Sequence, residues 1–368
     1  MEYASLLVVA GLAAGIVAVQ WSRWSRDRLL VPPARHVAAA LPPHPPKVSV
    51  LVAAWNEAAL LPSHIESFKR LRYPNRELVL CAGGTDGTVE LAASSRSECV
   101  VVLEQQPGEG KQRALRKAYE HATGDLFYLT DADCELDDES FEATLAPLLN
   151  DAAQAATGGS RPLDRQMSTP FVVQQWYVDR YVRAHWGPST DGILGRNAAF
   201  MRDAVEASGG FRYEAPTGTD YVMAKRLREA GVTILHAPAS QIASEYAADF
   251  GTYRRQQSRW LRNVVLHGVR FGVYGEAARG LAPSILGMLM IVGTPVAVLI
   301  GPLPAALTAA AWLFVILNRA RYVRAGERLT GTSFGAGYWQ IPWFVLIDFV
   351  VWALVLLDYP FKAIRTRW

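Results

Sequence analysis

Two carboxylates with one small residue between them, Asp131 and Asp133, stand in the hexapeptide "TDADCE" at 130–135. At the end of a strand such a pair can project into one site and share a hard divalent cation with a phosphate. Magnesium and manganese take oxygen ligands of this kind and keep positions open for diphosphate oxygens. A solvated acidic loop is the competing reading, since Glu135, Asp137 and Asp138 follow. In "AGGTDGT", 82–88, glycines permit a tight turn and a close approach of backbone to a ligand. Asp86 there could accept hydrogen bonds from a ribose or base, although a plain strand-to-helix turn explains the pattern nearly as well. "GEGKQRALRKA" places Lys111 at the start of a helix, where a cation can meet a diphosphate beside the helix dipole, or simply lie on a basic face. In "TGTDYVMAKRLREAG", 217–231, Asp220 is placed either as an N-cap or first-turn acid, or as a general base for a hydroxyl. "YRRQQSRWL", 253–261, is polar, cationic and aromatic at once. An amphipathic helix face, a membrane-surface anchor and an anion site all fit it.

The elements that must hold these groups alternate. "KVSVLVAA" is an apolar, β-branched run ending at Trp55-Asn56-Glu57, and Leu60 to Leu71 has helical spacing. "RELVLCA" reads as a second strand, Val89 to Ser95 as a short helix and "CVVVLE" as a third strand. Gly110 to Ala122 reads as a helix, and "DLFYLTDAD" as a fourth strand running into acids. Strands alternating with helices imply an α/β domain with a parallel sheet covered on both faces. Ligands of such sheets bind at the carboxyl ends of the strands, where Glu57, Asp86, Asp131 and Asp133 all fall.

The composition, 51% hydrophobic against 19% charged, is unevenly spread. Tyr3–Trp21 and Leu281–Asn318 have no charged residue, and Tyr338–Leu357 has only Asp348. Uncharged runs of about 18 or more residues are long enough to cross a bilayer as helices. Gly301-Pro302-Leu303-Pro304 divides the second run, so four spans are expected: one N-terminal and about three C-terminal, the third of them short. Arg23, Arg26 and Arg28 behind the first span mark a cytoplasmic side. A second basic cluster, Arg319, Arg321, Arg324 and Arg328, fits an inside loop, whereas Lys362, Arg365 and Arg367 do not follow the same rule. A carboxylate inside a span is costly, so Asp348 must face a partner or a wet cavity. The boundaries read this way are a first span at 1–22, a linker at 23–47 and a cytosolic domain at 48–262. An interfacial segment at 263–280, spans over 281–358 and a basic tail at 359–368 follow. Cys81, Cys99 and Cys134 have neither metal-site nor pairing spacing and fit a reduced cytosolic domain. The net charge of +3 gives no argument for nucleic acid.

Taken in order, "VSVLVAAWNE", "GGTDGT", "GEGK", "DAD", "TD" and "QQSRW" resemble the membrane-integrated inverting glycosyltransferases of family 2 and its relatives. Within that family, "RLRYPNRELVLCA", "TDYVMAKRLREAG" and "LLDYPFKAIRTRW" are most similar to ceramide glucosyltransferases. The resemblance implies a nucleotide-sugar-binding domain of the glycosyltransferase A type, with a mostly parallel sheet, and Mg2+ or Mn2+ as cofactor. It implies a UDP-linked sugar donor, a membrane lipid or lipid-linked acceptor, and an inner-membrane protein with its catalytic domain in the cytosol. By the same resemblance Glu57, Asp86 and Lys111 hold the nucleotide, Asp131 contacts the ribose or metal, and Asp133 binds the metal. Asp220 is the base. Gln256, Arg259 and Trp260 match a Q-x-x-R-W pattern, with Arg259 toward the diphosphate and Trp260 at the acceptor's entry. Two positions depart from the family: Cys81-Ala82 replaces a pair of acids, and Thr219 replaces the Glu before the base. A processive polysaccharide or oligosaccharide synthase and a non-catalytic membrane scaffold are the alternatives.

Overall fold

The structure is a computed structural model that describes residues 2–34 and 43–362. Residues 35–42 of the expected linker, and Arg365 and Arg367 of the expected tail, lie outside the described residues. In chain order the elements are helix α1 (Glu2–Asp27), strand β1 (Val48–Trp55), α2 (Leu61–Arg70), β2 (Arg76–Gly83), α3 (Thr88–Ser94) and β3 (Val100–Glu104). Next come α4 (Gly110–His121), β4 (Leu126–Leu129), the two-residue β5 (Cys134–Glu135), α5 (Asp138–Leu149) and β6 (Ala155–Pro162). They are followed by α6 (Pro170–Arg183), β7 (Ser189–Thr190), β8 (Ala198–Met201), α7 (Arg202–Ala207), α8 (Thr219–Glu229) and β9 (Ile234–Ser244). The long helices α9 (Phe250–Arg270), α10 (Tyr274–Ile300), α11 (Pro302–Thr330) and α12 (Ile341–Lys362) close the series. These elements form two compact units.

In the sheet unit the strand order is β3-β2-β1-β4-β8-β6-β9-β5, with β7 beside β9. β1 to β4 are mutually parallel, and β6 is parallel to β9; β8, β5 and β7 run the other way. The central strands are mostly apolar because helices cover both faces; β2 is buried from Glu77 to Gly83, and the buried Glu77 accepts the Ser49 hydroxyl of β1 at 2.6 Å. Phe68, Tyr128 and Phe141 are fully buried in the core between sheet and helices. Each such aromatic or aliphatic side chain contributes about 1.5–3 kcal/mol by leaving water. The register of β1 on β2 pairs Trp55 with Gly83, so both strands stop at the same level. That level is where the polar residues begin. The expected strands and helices up to β4 are all present. β6, "AATGGSRP", is a strand of small residues with a register shift between Thr157 and Gly159 against β9, and no apolar run announces it.

The helical unit contains α1, α6 and α9 to α12. Three stretches, Tyr274–Ile300, Pro302–Thr330 and Gly335–Tyr359, are long and apolar enough to cross a membrane. At about 1.5 Å per residue each exceeds the roughly 30 Å of a hydrocarbon core. The break at Gly301 falls where the sequence places it. α1 is helical through the whole uncharged Tyr3–Trp21 run.

One expectation is corrected: Arg319, Arg321, Arg324 and Arg328 do not form a loop but the last turns of α11, which continues to Thr330. The helix persists because its charges meet carboxylates. Arg321 pairs with Asp27 and donates to the Tyr181 hydroxyl at 2.8 Å. Arg319 pairs with Asp348 and donates to Gln174 Oε1 at 2.6 Å. Asp348, 1% exposed, also accepts the Tyr253 hydroxyl of α9 at 2.7 Å, so the carboxylate in this apolar helix has the partners its burial demands. α6 lies against α11 where Gly326 has no side chain; a Cβ there would stand 2.3 Å from Tyr177 Cβ.

Candidate active site

Directly after β1 comes Asn56, whose φ of 58° is left-handed. Its side-chain Oδ1 accepts the Thr85 amide at 2.8 Å, tying the end of β1 to the turn after β2. Gly84 makes room for that tie, since a Cβ would fall 2.2 Å from Asn56 Oδ1. The next turn is closed by Asp86. Its Oδ1 accepts the Thr88 amide at 3.1 Å and the Thr88 hydroxyl at 2.6 Å, and its Oδ2 accepts the Ala58 amide at 3.0 Å. These bonds, the Thr88 hydroxyl foremost, hold the exposed carboxyl of Asp86 below the usual range. Thr88 Oγ1 in turn accepts the Glu57 amide at 2.8 Å. Asp86 therefore fixes the place of Glu57 as a turn-forming acid.

β4 continues through buried Thr130 into the acids. Lys111, on the first turn of α4, forms an ion pair with Asp131. Half-buried Asp133 accepts the Glu245 amide, just beyond β9, through its carbonyl at 3.1 Å. Arg196, in the loop before β8, donates to Ser244 Oγ at the end of β9. Burial works against the Arg196 charge, but Asp133, Cys134 and Asp131 outweigh it and raise its pKa. For Asp133 burial dominates: its pKa is raised, with Arg196 opposing and Asp131 adding to the rise. Glu57 is pushed up to about 7, first by burial and then by the charges of Asp133, Asp131, Glu245 and Asp86. Five carboxylates thus share one end of the sheet with Lys111 and Arg196.

Asp220 sits in the first turn of α8, after Gly218 rather than as the cap itself. Its Oδ1 accepts the Tyr221 amide at 2.9 Å. The strand ends of an α/β sheet carry a D-x-D pair and further acids, and a separate acid stands at a helix start. Residues 45–263, well over half of the 368, match the family model described as glycosyltransferase like family 2.

This chain belongs to that family.

A relative, "Probable glycosyltransferase YdaM" of Bacillus subtilis (strain 168), is 25% identical over 233 residues, covering 59% of this chain and 55% of that protein. The chain thus spans about half the length of the curated relative it matches. Among solved structures, the mannosyltransferase PcManGT from Pyrobaculum calidifontis, in complex with GDP-Man and Mn2+, is 20% identical. It has a TM-score of 0.58 over 96% of this chain and 99% of that one. The shared fold is the A-type glycosyltransferase sheet, and in this chain three C-terminal helices long and apolar enough to cross a membrane follow it.

Of the residues singled out in the sequence, Glu57, Asp86, Lys111, Asp131 and Asp133 come together at one end of the family 2 sheet. Gln256, Arg259 and Trp260 lie on α9 in the helical unit, past the Asp249 cap that accepts the Thr252 amide at 2.9 Å. Trp260 is 45% exposed. Arg196 and Glu245 are site residues that the sequence reading missed. The one signal was an arginine in the otherwise uncharged "GILGRNAAF". Among the described residues no three His, Cys, Asp or Glu side chains gather into a cage for a metal ion. Asp131 and Asp133 are two oxygen donors of the kind a hard cation takes, and such an ion would need phosphate oxygens or water to complete its shell. The raised Glu57 and Asp133 mark the negative charge such an ion would offset.

Glu57 gives a stability test. Its proton is held to about pH 7 folded but only to the ordinary 4.5 unfolded, so the folded state binds more protons between these values. Stability is then lost as pH rises through that window. In cation-free detergent, Glu57→Gln should melt above the parent at about pH 8, with the gap closing by about pH 5. Parallel melting curves would contradict the raised value.

Proposed function

We propose that this protein is an inverting, membrane-integrated glycosyltransferase. It moves one sugar from a nucleotide sugar, UDP-linked by its resemblance, to a lipid-borne acceptor at the cytoplasmic membrane surface. The observation that supports this most is the convergence of Glu57, Asp131 and Asp133 with Lys111 and Arg196 at the strand ends of a family 2 domain whose chain also has three membrane-length helices. In this reading Glu57 and Asp86 shape the nucleotide pocket, and Lys111 shifts from Asp131 toward the diphosphate. Asp131 and Asp133 are the residues that would hold Mg2+ or Mn2+. When bound, the cation supplies charge neutralisation for the departing nucleoside diphosphate. Asp220 takes the proton of the acceptor hydroxyl as its oxygen attacks the anomeric carbon from the face opposite the leaving group, which inverts that carbon. Arg259 adds positive charge for the diphosphate, and exposed Trp260 offers an aromatic face to an amphipathic acceptor.

Arg259→Ala should lower transfer by about 10²–10³-fold, the size of effect seen when one preorganised donor to developing charge is removed. The melting temperature and membrane insertion should stay those of the parent. Unchanged turnover would remove Arg259 from the chemistry.

The function itself is tested with purified protein in detergent, given UDP- and GDP-sugars, a lipid extract and Mg2+ or Mn2+. The expected product is a single glycolipid that partitions into organic solvent. A ladder of saccharides would instead make the protein a processive synthase. If no donor is consumed and none raises the melting temperature, the transferase reading fails in favour of a scaffold.

A further inference from the structure

The tripeptide Gly195-Arg196-Asn197 leads into β8, and the roles above leave two of its residues without a task. Asn197 is completely buried. Its Nδ2 donates to Gly159 O at 2.7 Å and to Ser240 Oγ at 2.8 Å, and its Oδ1 accepts the Tyr128 hydroxyl at 2.7 Å and the Thr144 hydroxyl at 2.9 Å. All four bonding positions of the amide are filled, from β4, α5, β6 and β9. The backbone is held as well. Asn197 O accepts the Gly158 amide at 2.9 Å and Thr157 Oγ1 at 3.0 Å, while Thr157 Oγ1 accepts the Leu194 amide at 2.9 Å. A loop fixed this firmly is a rigid support.

What the loop supports is Asp220. A Cβ at Gly195 would lie 2.8 Å from Asp220 Cβ and 3.3 Å from its Oδ2, the oxygen that does not bond the Tyr221 amide. The next residue of the same loop, Arg196, donates to Ser244 Oγ and feels the charge of Asp133. We infer that Gly195 is a positioning residue: anchored through Asn197, its bare backbone is the wall that sets where the Asp220 carboxylate stands relative to the Asp131–Asp133 pair. The inference rests on the reading of Asp220 as the base. A misplacement of about 1 Å at a reacting group can lower rates about 10²-fold, and any side chain at Gly195 forces a shift of that order.

The test uses the full chain in detergent with whichever sugar of the UDP- and GDP-linked panel it turns over. Gly195→Ala should lower kcat about 10–100-fold while donor KM and the affinity for UDP with Mn2+ stay within about twofold. In an Asp220→Asn background the same change should have no further effect, because Gly195 acts only through that carboxylate. Thr157→Val keeps the shape but removes the Leu194 and Asn197 ties; it should lower kcat severalfold with donor KM unchanged, and it decides the matter if Gly195→Ala does not fold. Wild-type kcat in the folded variants, or a Gly195→Ala loss that persists in full without Asp220, would overturn the proposal. If Asp220→Asn alone transfers sugar at the parent rate, it is the base that is wrong.

Discussion

Asp220→Asn should reduce kcat by about 10²–10⁴-fold, the range that a positioned general base supplies. Asparagine has nearly the same shape, and its side-chain oxygen can still accept the Tyr221 amide that Asp220 Oδ1 accepts at 2.9 Å. Binding of UDP with Mn2+ should therefore persist, and stability should fall by no more than about 0.3–1 kcal/mol, the contribution of a first-turn acid to a helix dipole. The measurement is single-turnover transfer with radiolabelled donor beside a binding isotherm. Were transfer to continue at the parent rate, Asp220 would be only the first-turn acid of α8, and the base would have to be sought elsewhere at the strand ends.

Asp348→Leu should destabilise the helical unit by about 3–5 kcal/mol, because it strands a buried partner rather than removing a pair. Arg319 is only 13% exposed and would keep Gln174 but lose its counter-charge, and the Tyr253 hydroxyl would lose its acceptor. The double change Asp348→Leu with Arg319→Leu should recover most of the loss, since replacing both members of a buried pair by apolar groups is often neutral. Thermal melts of the four proteins in one detergent form the cycle. Equal melting temperatures for the parent and Asp348→Leu would show that the pair contributes nothing. Tyr253 lies one helical turn before Gln256, so the same variant should also disturb the Q-x-x-R-W helix.

The first half of the sheet was readable because parallel strands covered by helices are mostly apolar, and β1, β2 and β3 each carry a run of aliphatic residues, with polar Ser49, Arg76, Glu77 and Glu104 as the exceptions. β6 was not. Its alanines and glycines give no period, and it becomes a strand only by pairing with β8 and β9, which come later in the chain. The end of α11 was misread for a related reason. Charges after Asn318 look like the close of a span, yet Arg321 finds Asp27 at a separation of 294 residues, and no local pattern announces such a partner. Among the site residues, acids at strand ends stood out because sheet topology says where ligands bind. Arg196 did not, since its meaning depends on Asp133, just before β5, and on Ser244, at the end of β9. Asp86 was legible as either a ligand or a turn residue, and its three bonds to Thr88 and Ala58 show the turn it makes.

The bare backbone of Gly326 has a consequence for how this protein can be divided. It lets Tyr177 press α6 onto α11, and α6 lies in sequence between two stretches of the sheet unit. A fragment cut at 43 and 246 would retain α6 with Val173, Trp176 and Tyr177 stripped of their cover. The gene therefore contains no soluble cassette that one pair of cuts can release. The apolar helices are not an accessory fused to a portable domain: part of what they pack against is encoded in the middle of it.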